Sequence, residues 1–145
     1  EPLPGDLANY APGLNENNLL IVNIESVPAV ENLDRILDVP GIDSVLIGPH
    51  DLSCNLGKPE QYDDPTFLKP AETIFAKARA RGIGAGIHAW GDTASRARFV
   101  NMGANLLIHK ADITFFKNGI RDELAEIREK LGLQPGDTAT GEVNI

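Results

Sequence analysis

Four short apolar runs, residues 19–24, 42–47, 83–87 and 106–108, recur along the chain, and each is followed by a stretch with apolar positions at helical spacing. The first run is continuous and β-branched, as expected for a strand covered on both faces. The second centres on Val45, Leu46 and Ile47, and the third is short and glycine-rich. Val27, Val30, Leu33, Ile36 and Leu37 make one face of a single helix, with Ser26 as its N-cap, Pro28 just inside it and Pro40-Gly41 ending it. Residues 48–64 read as a loop. Pro65 then opens a helix whose apolar face is Phe67, Ala71, Ile74, Phe75 and Ala78. A third helix covers residues 93–102 and stops at Gly103. A fourth covers 114–131, with Phe116, Ile120, Leu124, Ile127 and Leu131 on one face and Gly132 placed to cap it. Residues 1–18 read as a connecting segment, 19–131 as the repeating units, and 132–145 as a polar tail that is mobile or held by a partner.

Strand and helix alternating four times predict an α/β fold with a parallel sheet. Four such units make either an open doubly wound domain or half of an eight-unit barrel, and pattern alone does not choose between them. The 145 residues, 42% of them hydrophobic, suit one globular domain. A net charge of −8 with no basic run argues against nucleic acid and anionic membranes as partners. An anionic substrate would then need a local positive centre, which a divalent cation supplies. Cys54 is the one cysteine, so no intrachain disulfide forms. With no apolar stretch of the roughly 18 residues a span needs, and no signal-like start at residues 1–5, the expectation is a cytoplasmic protein.

In parallel α/β folds, chemistry gathers at the C-terminal ends of strands. Glu25 directly follows the first run, and Asp51 follows the second after Gly48-Pro49-His50. Neighbouring parallel strands lie roughly 4.8 Å apart, so the two carboxylates can converge on one volume. Crowded carboxylates resolve their repulsion by sharing a proton or a divalent cation. The alternative is that each acid merely caps the next helix or loop.

Linked motifs carry the chain further. Residues 23–26 (Asn-Ile-Glu-Ser), 31–37 (beginning Glu-Asn-Leu-Asp) and 39–53 (Val-Pro-Gly-Ile-Asp through Gly-Pro-His-Asp-Leu-Ser) resemble the HpcH/HpaI aldolases, the class II 4-hydroxy-2-oxo acid aldolases, over residues 9–131. The resemblance implies a (β/α)8 TIM barrel of which residues 1–145 would form one partial domain, the C-terminal half. It implies a divalent ion (Mg2+, Mn2+ or Co2+) held by Glu25 and Asp51. Pyruvate would bind that ion and be stabilised as its enolate, its carboxylate gripped by the turn of Gly48, Pro49 and His50, with Ser53 helping to bind it or to shape the turn. Pro49, lacking an N–H, would shape the turn only. The family's histidine–acid pair and arginine lie on early strands, so the catalytic base is expected upstream, from an N-terminal half or another polypeptide. A homo-oligomer, specifically a hexamer, is implied as well.

Other residues compete for roles. His88 follows the third run, at a position where the family is usually apolar. It is expected either to line the aldehyde side of the pocket or assist with protons, or else to be a hydrogen-bonded rim histidine. His109 reads as structural, Lys110 as a poor Schiff-base candidate, and Cys54 as a packed or loop thiol without a partner base. Trp90 either lines the site or packs its loop. The leading expectation is a carbon–carbon lyase that interconverts 4-hydroxy-2-oxo acids with pyruvate and an aldehyde. The alternatives are a CoA-ester lyase of the citrate-lyase β-subunit type and a non-catalytic half-barrel.

Overall fold

The structure, a computed structural model, describes residues 13–133. They fall into two compact units, one ending at His109 and one beginning at Lys110. The first contains β1 (Ile21–Ile24), α1 (Val27–Glu31), α2 (Leu33–Leu37), β2 (Ser44–Ile47), α3 (Pro49–Asn55), α4 (Pro65–Ala80), β3 (Gly84–Ala89), α5 (Thr93–Asn101) and β4 (Leu106–His109). The second contains α6 (Asp112–Lys130), ended by Gly132 at φ +69°. The expected tail from residue 134 onward, and the connecting segment up to residue 12, lie outside the described residues.

The four strands form one parallel sheet in the order β1-β2-β3-β4. Ile24 pairs with Ile47, Ile47 with Ile87, and Ile87 with Leu107. Side chains alternate along a strand, so this row points to one face. There Ile24, Ile47 and Ile87 are fully buried against Leu33, Leu37, Phe67, Ile74, Phe75 and Phe99 of α2, α4 and α5. The face read for α4 from its spacing, Phe67 through Ala78, is buried at every position. Asn105 pins β4 to β3, its side-chain oxygen accepting from the Ala85 N–H at 2.8 Å and its own N–H donating to the Ala85 carbonyl at 2.9 Å.

Three expectations need correction. The first run is not covered on both faces: Leu19, Leu20 and Ile21 are 75%, 51% and 38% exposed, the first two preceding β1 and the third opening it. The single helix over 27–37 is two, broken at Asn32 (φ −97°, ψ 14°). Both the backbone N–H and the side-chain amide of Asn32 donate to the Pro28 carbonyl, closing α1 in the way short polar side chains compete with helix propagation. The loop over 48–64 opens with a helix, α3, for which Gly48 supplies the extended N-cap and Pro49 the first helical position. On α6, Phe116, Ile120, Leu124, Ile127 and Leu131 share one face as read from their spacing, and that face is exposed.

Asp34 accepts from Lys77 at 2.6 Å and from Arg81 at 2.9 Å, tying α2 to α4 at the surface. Asp64 caps α4 by accepting from the Thr66 N–H at 2.8 Å, which with the nearby Lys58 lowers its pKa to about 2. A carboxyl acidified by folding contributes stability that is complete above its unfolded pKa of 3.8 and lost as pH falls through about 2. Asp64→Ala should therefore lower thermal stability at pH 7 and flatten its decline between about pH 4 and 2, read by melting temperature across that window. Phe67 is fully buried, with ring contacts to Tyr62 (5.5 Å) and Phe99 (6.4 Å). Phe67→Ala should cost about 3–5 kcal/mol in chemical denaturation.

Candidate metal and substrate site

One residue beyond the buried isoleucine row, parity reverses. Extending the register by a single step aligns Glu25, Gly48, His88 and Ile108 on the face opposite the helices, at the C-terminal ends of the strands. Asn23 precedes Glu25 by two positions and shares its face. Its side-chain amide donates to Glu25 Oε2 at 3.2 Å. Gly48 has no side chain, and the Glu25 carboxylate occupies the space: a Cβ built on Gly48 would lie 2.5 Å from Glu25 Oε2. Glu25 thus leans over the residue that ends β2.

Asp51 stands in the first turn of α3, and Glu25, Asn23, Gly48, Pro49, His50, Asp51, His88 and Trp90 line a single open cleft of about 220 Å3. His88 and Trp90, two apart at the end of β3, hold their rings 4.6 Å apart at 37°. The residues expected in the site are brought together there, with Ser53 the exception.

Ser53 is fully buried. Its hydroxyl donates to the His50 carbonyl at 2.8 Å and accepts from the Glu60 N–H at 3.0 Å. It shapes the rim from beneath. Glu60 adopts φ +58°, a left-handed conformation uncommon outside glycine, and its carboxylate lies 3.5 Å from His50 Nδ1. Burial pushes the Tyr62 phenol up, with Glu60 and Cys54 adding to the effect, so it remains a hydrogen-bond donor at neutral pH.

Comparison with known proteins adds to the geometry. Residues 7–117 match the sequence model of the family described as HpcH/HpaI aldolase/citrate lyase. The chain belongs to this family. The 2-keto-3-deoxy-L-rhamnonate aldolases of Escherichia coli strain K12 and Salmonella paratyphi B are 36% and 38% identical to it over 121 residues, 83% of this chain and 45% of theirs. The HpcH/HpaI aldolase structure from Desulfitobacterium hafniense superimposes with a TM-score of 0.74 at 30% identity, covering 93% of this chain and 51% of that one. The chain spans about half the length of the relatives it matches. Its four parallel strands and their helices correspond to about half of a TIM-barrel aldolase.

Among HpcH/HpaI features, a divalent ion fits the residues present. No cluster of three or more His, Cys, Asp or Glu exists among the described residues. What the cleft offers is two carboxylates, one steadied by an asparagine amide and seated over a glycine. Two hard oxygen donors, with the remaining positions left to water and a chelating substrate, are the pattern of magnesium-type sites.

Within the first unit, His109 shares the helix-side parity of Leu107, and Cys54, expected to be packed or in a loop, is exposed on α3. Lys110 opens the second unit, its ammonium 5.9 Å from the Phe115 ring. Asn23, which lines the cleft, was not foreseen, nor was the approach of Glu60 to His50 at its rim. The two-residue spacing from Glu25 was a usable signal for Asn23. Nothing in the sequence marks the backbone of Glu60.

Gly48→Ala should displace the Glu25 carboxylate while leaving the sheet folded. The expected outcome is an Mn2+ affinity weakened about tenfold or more by calorimetry, with the circular dichroism spectrum unchanged.

Proposed function

We propose that this chain forms the metal-binding half of a class II aldolase that cleaves or forms 4-hydroxy-2-oxo acids, giving pyruvate and an aldehyde. The observation that carries the reading is the shared cleft of Glu25 and Asp51 at the ends of adjacent parallel strands. Membership of the family and the relatives' activity on a 2-keto-3-deoxy acid support it.

Glu25 and Asp51 hold the divalent cation. When bound, that cation supplies Lewis-acid stabilisation to the negative charge that develops as pyruvate loses a methyl proton. Asn23 fixes the rotamer of Glu25 by donating to it. Gly48 leaves room for that carboxylate and for the substrate above it. The N–H groups of His50 and Asp51 lie in the first turn of α3, beyond reach of any intrahelical carbonyl, and bind the pyruvate carboxylate; Pro49 sets the turn without donating. Ser53 keeps that turn in place from below. His88, two strands from Glu25 across Gly48, walls the far side of the cleft. The proton acceptor and the arginine that the family resemblance implies come from outside this chain, on the remaining half of the barrel.

The test is exchange of pyruvate methyl protons into D2O, followed by proton NMR on the longest native polypeptide that carries this sequence. Exchange should require Mg2+ and fall roughly a hundredfold in Glu25→Gln and in Asp51→Asn. Undiminished exchange in the double variant would overturn the assignment.

A further inference from the structure

At the end of the sheet away from the cleft, Asp43 bonds the starts of three strands. It stands one step before the first register pair of β1 and β2, Ile21 with Ser44, and so faces Leu20. Its Oδ2 accepts from the Leu20 N–H at 2.8 Å, and its own N–H donates to the Leu20 carbonyl at 3.0 Å. The Ser44 N–H shares that carbonyl at 3.3 Å. On the other side the Asp43 carbonyl accepts from the N–H of Gly84, the first residue of β3, at 2.8 Å. A side chain at Gly84 would spoil this approach: its Cβ would lie 2.8 Å from Ser44 Oγ and 3.1 Å from the Asp43 carbonyl oxygen.

The same clasp recurs between β3 and β4. Asn105 stands one step before the register pair Gly86 with Leu106 and bonds Ala85 in both directions, at 2.8 and 2.9 Å. In each clasp a side-chain Oδ takes an N–H that a parallel ladder would otherwise give to a backbone carbonyl. An aspartate does this in one place and an asparagine in the other. The geometry therefore needs an oxygen at that reach and not a negative charge.

The two clasps differ in what their strands carry. β1 delivers Glu25 and β2 runs into Asp51, whereas β3 and β4 deliver neither carboxylate. Glu25 lies five positions beyond Leu20, and Gly48 five beyond Asp43. At about 3.3 Å per residue, the clasp sits roughly 16 Å from the row that opens the cleft. Two ligands from different strands meet one ion only if the strands are correctly set against each other. Magnesium-type ions demand near-ideal oxygen geometry, so a small slide of one strand costs affinity.

Resting on the metal site of the aldolase reading above, we propose that Asp43 is a positioning residue for that site: by clasping Leu20 it sets β1 against β2, so that Glu25 and Asp51 meet the same cation. The buried isoleucine row already forbids a slip of a whole residue. The clasp acts on the smaller slide and fraying that the row still permits.

The experiment is Mn2+ binding by calorimetry on the longest native polypeptide carrying this sequence, with circular dichroism and melting temperature on the same samples. Asp43→Ala should weaken Mn2+ binding about fivefold or more. Asp43→Asn keeps the oxygen, gives up the charge, and should stay within about twofold of the unsubstituted protein. Asp43→Glu keeps the charge, displaces the oxygen by one methylene, and should weaken binding nearly as much as Asp43→Ala. Asn105→Ala breaks the matching clasp and should lower the melting temperature while leaving Mn2+ affinity within about twofold. Unchanged affinity in Asp43→Ala overturns the inference. So does weaker binding in Asp43→Asn than in Asp43→Glu, which makes charge the cause, or a loss in Asn105→Ala equal to that in Asp43→Ala, which makes it general loosening. If Asp43→Ala does not fold, the order of Asp43→Asn and Asp43→Glu decides. Glu25→Gln in the same series separates the two levels. Affinity unmoved by Glu25→Gln removes the metal site and this proposal with it, whereas affinity lost in Glu25→Gln and kept in Asp43→Ala removes only this proposal.

Discussion

Burial of the Ile24–Ile47–Ile87 row beneath α2, α4 and α5 is the constraint on which the rest of the first unit depends. A strand has only two faces. Once three consecutive strands commit one position each to the apolar layer at matched register, the next position on every strand must emerge on the other side. Glu25, Gly48 and His88 occupy that next position. A slip of one residue in β1 or β3 would bury a carboxylate or an imidazole among phenylalanines and strand an isoleucine in the cleft. The cost of an unpaired buried charge makes such a register untenable. The sheet's hydrophobic chemistry and its polar chemistry are thus one decision taken twice.

The rim of the cleft obeys a different rule. Its parts, the first turn of α3, the segment around Glu60 and the Trp90 loop, are irregular backbone that needs local hydrogen bonds to hold a shape. Ser53 ties the first two together from a fully buried position, and Asp92 with Arg96 ties down the third. Residues that do not line the cleft therefore decide where those that line it stand.

Much of this was legible in the amino-acid order, for physical reasons that also explain the rest. Glu25 and Asp51 could be singled out because each follows an apolar run, and strand ends are where parallel sheets expose polar groups. The face of α4 could be read because five apolar positions at helical spacing admit one reading. The break at Asn32 could not, since apolar spacing continues across it from Val30 to Leu33 and only a side-chain bond to Pro28 interrupts the helix. A proline after glycine reads equally as a turn or as the first residue of a helix, which hid α3. The exposure of β1 was hidden because composition records how apolar a strand is and not how many neighbours it has.

Glu60 carries one further consequence. Its left-handed backbone makes glycine the conformationally easiest occupant, by about 1 kcal/mol. A lineage under selection for robustness alone would drift toward glycine there. An acidic side chain there carries a conformational strain that the fold absorbs, with the buried Ser53 hydroxyl accepting from the Glu60 N–H.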